Sequence, residues 1–165
     1  MATIGKDRMR RRFIDVIQPQ LDVGETVIAS SRTTTGPSPW LAYIIFAVVF
    51  IIVAVPVGGG LLVGAAVGAV VVFVMRLLGM REHFLAVTDR RVFLVGASAM
   101  LGRPTEVTFA GPRSAVSIAS VKTGATWSRF AYCQSGARPL TMHFHRAWRE
   151  DMQAIVRTTT AETLP

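Results

Sequence analysis

Phe84-Leu85-Ala86-Val87-Thr88-Asp89-Arg90-Arg91-Val92-Phe93-Leu94 sits at the centre of the chain, and its pattern sets the class of fold. Two short runs rich in aromatic and branched residues flank a polar Asp89-Arg90 pair, the signature of two antiparallel strands joined by a tight turn. Working downstream, further strands are predicted at Glu106 to Ala110, Ala115 to Val121, Thr126 to Cys133 and Leu140 to His145. Pro104, Gly111-Pro112, Gly124 and Gly136 with Pro139 punctuate them. Leu140, Met142 and Phe144 alternate with Thr141, His143 and His145, as one half-buried face of an antiparallel sheet requires. The chain then turns helical, with Trp148, Met152, Ile155 and Val156 on one face, able to cover the open end of a small sheet domain.

Upstream the character changes. From Thr33 to Met75 there is no charged residue, and Trp40 to Val57 and Leu61 to Met75 are almost wholly apolar around a break at Pro56-Val57-Gly58-Gly59-Gly60. Each run approaches the roughly 20 residues that cross a bilayer, which predicts a transmembrane helical hairpin over 40–80, about 40–57 and 58–80, with its tip at 56–60. Arg10, Arg11 and Arg12 precede the block, Arg76 and Arg81 follow it, and the tip has no basic residue. These juxtamembrane arginines predict a multi-pass protein of a bacterial cytoplasmic membrane with both termini cytoplasmic. Within the second run Gly60, Gly64 and Gly68 recur at every fourth position, a smooth stripe suited to helix packing within the hairpin or between chains. No Asp, Glu, Lys, Arg or His lies inside either run, so a self-sufficient transporter or proton relay has no residue to use.

The first segment, 1–39, carries Met9, Phe13, Val16, Ile17 and Leu21 at helical spacing opposite Arg8, Arg11 and Arg12. This amphipathic helix suits either an anionic leaflet or a seat on the C-terminal domain, and both readings stand. Glu25 to Arg32 reads as a short extended piece. The expected organisation is therefore an α+β membrane protein: the segment 1–39, the hairpin, a small antiparallel split barrel with its closing helix over 81–157, and a tail at 158–165.

The residues around the opening hairpin resemble those of the bacterial pleckstrin-homology-like membrane proteins, in which an aromatic and aliphatic strand runs into a turn of the Thr88-Asp89-Arg90-Arg91 type. Leu21-Asp22-Val23-Gly24-Glu25-Thr26-Val27 is similar to a segment that often precedes that hairpin in actinobacterial examples. The resemblance implies a split barrel of two packed sheets with a C-terminal helix, and a scaffolding or binding role without a defined reaction. That fold usually has seven strands where six are legible after the apolar block, so either Glu25 to Ser31 supplies the seventh or two strands are merged.

Composition narrows the function. The chain has 165 residues, 51% hydrophobic and 17% charged, with 18 basic residues against 10 acidic and a formal net charge of +8. That leaves no room for a large multidomain enzyme. Only Lys6 and Lys122 are lysines, an arginine bias that fits a high-G+C bacterial genome. The single Cys133 excludes an internal disulfide framework and lacks the surroundings of a nucleophile. His83, His143 and His145 are the material for a metal-dependent hydrolase, but no carboxylate or cysteine accompanies them at ligand spacing, and neither a metal nor another cofactor is expected. Glu106, Glu150 and Asp151 contain no acid and base pair, so no catalytic residue is assigned. Aromatics are not interleaved with arginine as in single-strand binders, and nucleic acid is not expected as a partner. Arg90, Arg91 and Arg103 are candidate contacts for an anionic lipid or an acidic partner. The expected function is a non-enzymatic membrane protein that presents its sheet domain to copies of itself, as a homo-oligomer, or to another protein, in the presence of anionic inner-leaflet lipids. The alternative is an accessory subunit stabilising a larger membrane complex.

Overall fold

The computed structural model describes residues 2–57, 60–98 and 103–160. The chain divides into two compact units, one formed by Met1–Thr35 with Arg81–Pro165 and the other by Gly36–Met80. The first unit contains α1 (Ala2–Ile17), seven strands and α4 (Arg149–Thr160). The strands are β1 (Val27–Thr35), β2 (Arg81–Thr88), β3 (Arg91–Ala97), β4 (Pro104–Pro112), β5 (Val116–Lys122), β6 (Trp127–Gln134) and β7 (Leu140–His145). They form one antiparallel sheet in the order β4-β3-β2-β1-β7-β6-β5.

The seventh strand is β1, which comes from before the apolar block and not from a merged pair. It pairs along its length with β2, from Val27 opposite Thr88 to Thr35 opposite Arg81, and its last two residues also pair with β7. Among the described residues, Thr34 opposite His143 and Thr35 opposite Met142 are the register pairs that join the two halves of the sheet. Thr33, Thr34 and Thr35 are consequently buried, and the Thr33 hydroxyl donates to the His143 carbonyl at 3.1 Å. The sheet curls about this junction. Leu85, Val87, Val92 and Leu94 of one half share a core with Phe130, Tyr132, Met142 and Phe144 of the other, and Met152 and Ile155 of α4 complete it. The expected cover of the sheet by the closing helix is thus observed.

β2 and β3 are buried on both faces, because the residues between those core positions serve a second cluster. Phe84, Ala86, Phe93 and Val95 pack against Phe13 and Ile17 of α1, with the Phe13 and Phe84 rings stacked at a centroid distance of 5.3 Å. Strands covered on both sides read as continuous apolar runs, which is what residues 84–87 and 92–95 are. Of the two seats open to the amphipathic helix, the sheet is the one it occupies.

The second unit is a helical hairpin of α2 (Pro39–Val57) and α3 (Leu61–Leu77). Val67, Val71 and Met75 form its seam against Ala42, Ile45 and Val49. At its neck Gly36 has φ +101°, and a Cβ there would lie 2.7 Å from the Gly79 carbonyl oxygen, so only glycine fits.

This geometry corrects the membrane reading. Among the described residues no helix is long and apolar enough to cross a membrane. The physical reason lies at the ends of the uncharged run. Its first residues, Thr33 to Thr35, belong to β1, and beyond α3, whose last turn carries Arg76, Arg81 already opens β2. What remains is 19 residues in α2 and 17 in α3. α3 is thus shorter than the expected 58–80, about 26 Å long at 1.5 Å per residue against roughly 30 Å of hydrocarbon, and α2 is about 28 Å long. The transmembrane hairpin, the multi-pass location in a cytoplasmic membrane and the cytoplasmic placement of both termini fall with it, and the basic residues at Arg10, Arg11, Arg12, Arg76 and Arg81 have no span to orient. Part of the expected tip, 58–59, lies outside the described residues.

Candidate functional site

The turn between β2 and β3 is locked to the loop ahead of β1, and the lock is built residue by residue. Asp22 to Glu25 forms a tight turn in which the Glu25 amide donates to the Asp22 carbonyl at 3.0 Å and Gly24 adopts φ +81°. This swings the Glu25 carboxylate back, where it accepts from the Asp22 amide at 3.0 Å. Its main partner is Arg91. Nε lies 3.1 and 3.2 Å from the two carboxylate oxygens, Nη2 also donates to Oε2, and the same Nη2 reaches the Gln20 carbonyl at 2.7 Å and Asp22 at 3.3 Å. Thr88 closes the network. Its hydroxyl donates to Glu25 Oε1 at 2.6 Å and accepts from the amides of Arg90 and Arg91 at 3.2 and 2.7 Å. Asp89 pairs with the main chain of Thr26, accepting at 3.0 Å through Oδ1 and donating its amide at 3.2 Å. The Arg91 hydrogen bonds, helped by Thr88 and the Asp22 amide, hold Glu25 down at about 2 in spite of its burial, and Glu25 in turn raises Arg91.

Arg91 is therefore spent inside the fold. Its guanidinium is a structural cation, stacked also over Phe93 at 5.1 Å, and not an open contact for an anion. Arg90 is exposed and lies 3.9 Å from Asp89, while Arg103 is exposed at the other end of β3. Seven residues of strand, on the order of 20 Å, separate them, so Arg90, Arg91 and Arg103 do not converge on one site. Arg8, Arg11 and Arg12 are exposed on α1 and Arg10 is half-buried; Arg76 and Arg81 are exposed.

The histidines do not gather either. His83 is paired with Thr33 and His143 with Thr34, and adjacent strand residues point to opposite faces, so the two rings lie on opposite sides of the sheet. His145 accepts from the Ala147 amide at 3.3 Å and meets Trp127 edge to face. Burial and the nearby Arg81 lower His83 from its ordinary value. Among the described residues no group of three His, Cys, Asp or Glu is placed to hold a metal ion. Cys133 is half-buried on β6, Glu106 is exposed on β4, and Glu150 and Asp151 open α4.

Gly60, Gly64 and Gly68 are off the hairpin's seam. A Cβ built at any of them meets nothing within 4 Å, because α2 packs instead on the valine row of Val63, Val67 and Val71. Gly64→Ala and Gly68→Ala are each expected to stabilise the hairpin by about 0.5–1 kcal/mol, the ordinary gain of alanine over an unpacked helical glycine. Thermal unfolding by circular dichroism measures it. A loss of stability would instead show that another helix sits on the stripe.

Among the described residues two strand edges have no strand partner. β4 and β5 end the strand order, and although only Arg113–Ala115 separates them in sequence they do not pair. No protein-family model matches the chain, and none of the curated proteins matches it.

Proposed function

We propose that this chain is a non-enzymatic interaction protein whose sheet domain binds a second copy or another protein along a strand edge. The observation that carries the reading is the pair of strand edges, β4 and β5, that have no strand partner among the described residues. An unpaired edge offers a row of main-chain donors and acceptors that an incoming strand satisfies. The likeness to the bacterial pleckstrin-homology-like proteins supports the same role. Seven strands and a closing C-terminal helix accord with it, although the strands form one antiparallel sheet and not the two packed sheets that the likeness implies, and the two segments that carry the likeness, 21–27 and 88–91, are the ones joined by Glu25 and Arg91.

A second reading, an accessory subunit of a larger assembly, is favoured by the α2–α3 hairpin. Ile44, Ile52, Leu61, Leu62, Phe73 and Leu77 are more than half exposed there, more contiguous apolar surface than a solitary chain in water ordinarily leaves open. Gentle extraction of the native protein followed by native mass spectrometry separates the two. A homo-oligomer supports self-association, stoichiometric recovery with a larger enzyme supports the accessory role, and a bare monomer overturns both.

A further inference from the structure

The end of β5 combines a like-charged cross-strand pair, a cation in the following turn and a bulge. Lys122 stands directly opposite Arg129 of β6, a cross-strand pair of like charge. Such pairs are destabilising unless an anion relieves them. Both residues are exposed, and among the described residues neither has an ion pair or a side-chain hydrogen bond. A third cation, Arg149 at the start of α4, donates to the carbonyls of Gly124 and Ala125 in the turn that follows β5. Glu150, beside it, is exposed and forms no ion pair with any of the three.

The backbone at this place is also unusual. The register slips by one residue between Ala119 and Lys122, and Ser120 within the slip has φ +53°, the only non-glycine residue with positive φ among those described. A bulge of this kind re-aims the side chains beyond it and holds strain that the surrounding structure must support. Here it sets Lys122 level with Arg129 on one face of the sheet, beside the open edge.

We infer that the β5 edge is a docking site for an extended acidic segment of a partner protein, which pairs its main chain with β5 and sets carboxylates against Lys122 and Arg129. This rests on the edge-binding function proposed above and specifies the partner's chemistry. Alternate residues of an added strand project on the face shared with Lys122 and Arg129, so the segment carries an acid at the position level with that pair. Its small neighbours on β5, Ser117, Ala119 and Ser120, are exposed and leave room for larger incoming side chains.

The test uses the full chain with two strand-length peptides, one alternating Glu and Thr and one with Lys in place of Glu, followed by amide chemical shifts. The Glu peptide is expected to perturb residues 117–122 and to bind at least about tenfold more tightly than the Lys peptide, with the preference weakened by salt. The K122E/R129E double variant, both changes being on exposed positions, is expected to reverse the preference. Equal binding of the two peptides, or perturbation confined to other residues, overturns the inference. So does displacement of the Glu peptide from these residues by a thymidine oligonucleotide, which would make the cations a phosphate-binding surface. A native complex that persists while the peptides fail to discriminate would sink this inference and leave the proposed function standing.

Discussion

Glu25→Gln is expected to destabilise the sheet unit by about 2 kcal/mol near neutral pH, and to abolish most of the acid sensitivity of the parent protein between about pH 5 and pH 2. The carboxylate is fully buried, and the substitution leaves Arg91 half-buried with its principal anion gone and Asp22 only partly replacing it. The amide keeps one acceptor oxygen where the carboxylate had two, so it cannot serve both the Thr88 hydroxyl and Arg91, and the turn that starts β3 is held less firmly to the loop ahead of β1. The sign follows from the direction of the shift. Glu25 is lowered from 4.5 to about 2, so its stabilising contribution is complete above the unfolded value and disappears as the pH falls toward the folded one. The whole shift corresponds to about 3 kcal/mol, and screening at the rim of the fold reduces the usable part to about 1–2 kcal/mol. Denaturant unfolding of parent and variant at about pH 7 and about pH 3 measures both effects. A variant as stable as its parent at neutral pH, or one with an unchanged acid slope, contradicts the structural role of the pair. The double-mutant cycle with Arg91→Met isolates the coupling, expected at about 1–3 kcal/mol.

This pair shows where sequence reading ends. The strands around Thr88-Asp89-Arg90-Arg91 were legible because their alternation and turn chemistry are local. What Arg91 does is not local, since its partner lies 66 residues upstream. Arg91 read in isolation is an exposed turn cation; paired, it is a half-buried strut. The signal available was a glutamate placed just after a glycine in Asp22-Val23-Gly24-Glu25, a turn that returns the carboxylate toward its own loop.

The apolar block failed for a related reason. Hydropathy reports the absence of charge over Thr33 to Met75 but not which residues a strand claims. Thr33 to Thr35 carry no alternation of hydropathy, and their place in β1 comes from partners on β2 and β7 at once. Inside the block, two rows of period four were present in α3, one of glycines and one of Val63, Val67, Val71 and Met75. Packing selected the valines, because area removed from water outweighs smoothness when a partner helix offers Ala42, Ile45 and Val49. The like-charged pair at Lys122 and Arg129 was illegible for a third reason. Without the bulge at Ser120 the register would place different residues opposite one another, and a bulge has no reliable sequence mark at serine.

The second large effect concerns α1. Phe13→Ala is expected to cost about 3–4 kcal/mol, whereas Arg8→Ala, Arg11→Ala and Arg12→Ala on the opposite face each change stability by less than about 0.5 kcal/mol. Phe13 is wholly buried, its ring stacks on Phe84, and with Ile17 it fills the outer face of β2 and β3. Truncation leaves a cavity between a helix and a sheet, and the strands beneath are too tightly paired on both sides to collapse into it. The Phe13/Phe84 double-mutant cycle is expected to return about 1 kcal/mol of coupling for the stacked rings. Denaturant midpoints with unchanged slopes measure all of these. An α1 whose purpose is a basic surface would show the reverse pattern, with a near-neutral Phe13→Ala. The packing observed makes the helix part of the sheet's core, so the N-terminal segment, β1 and the strands after the helical hairpin are expected to unfold together in a single transition.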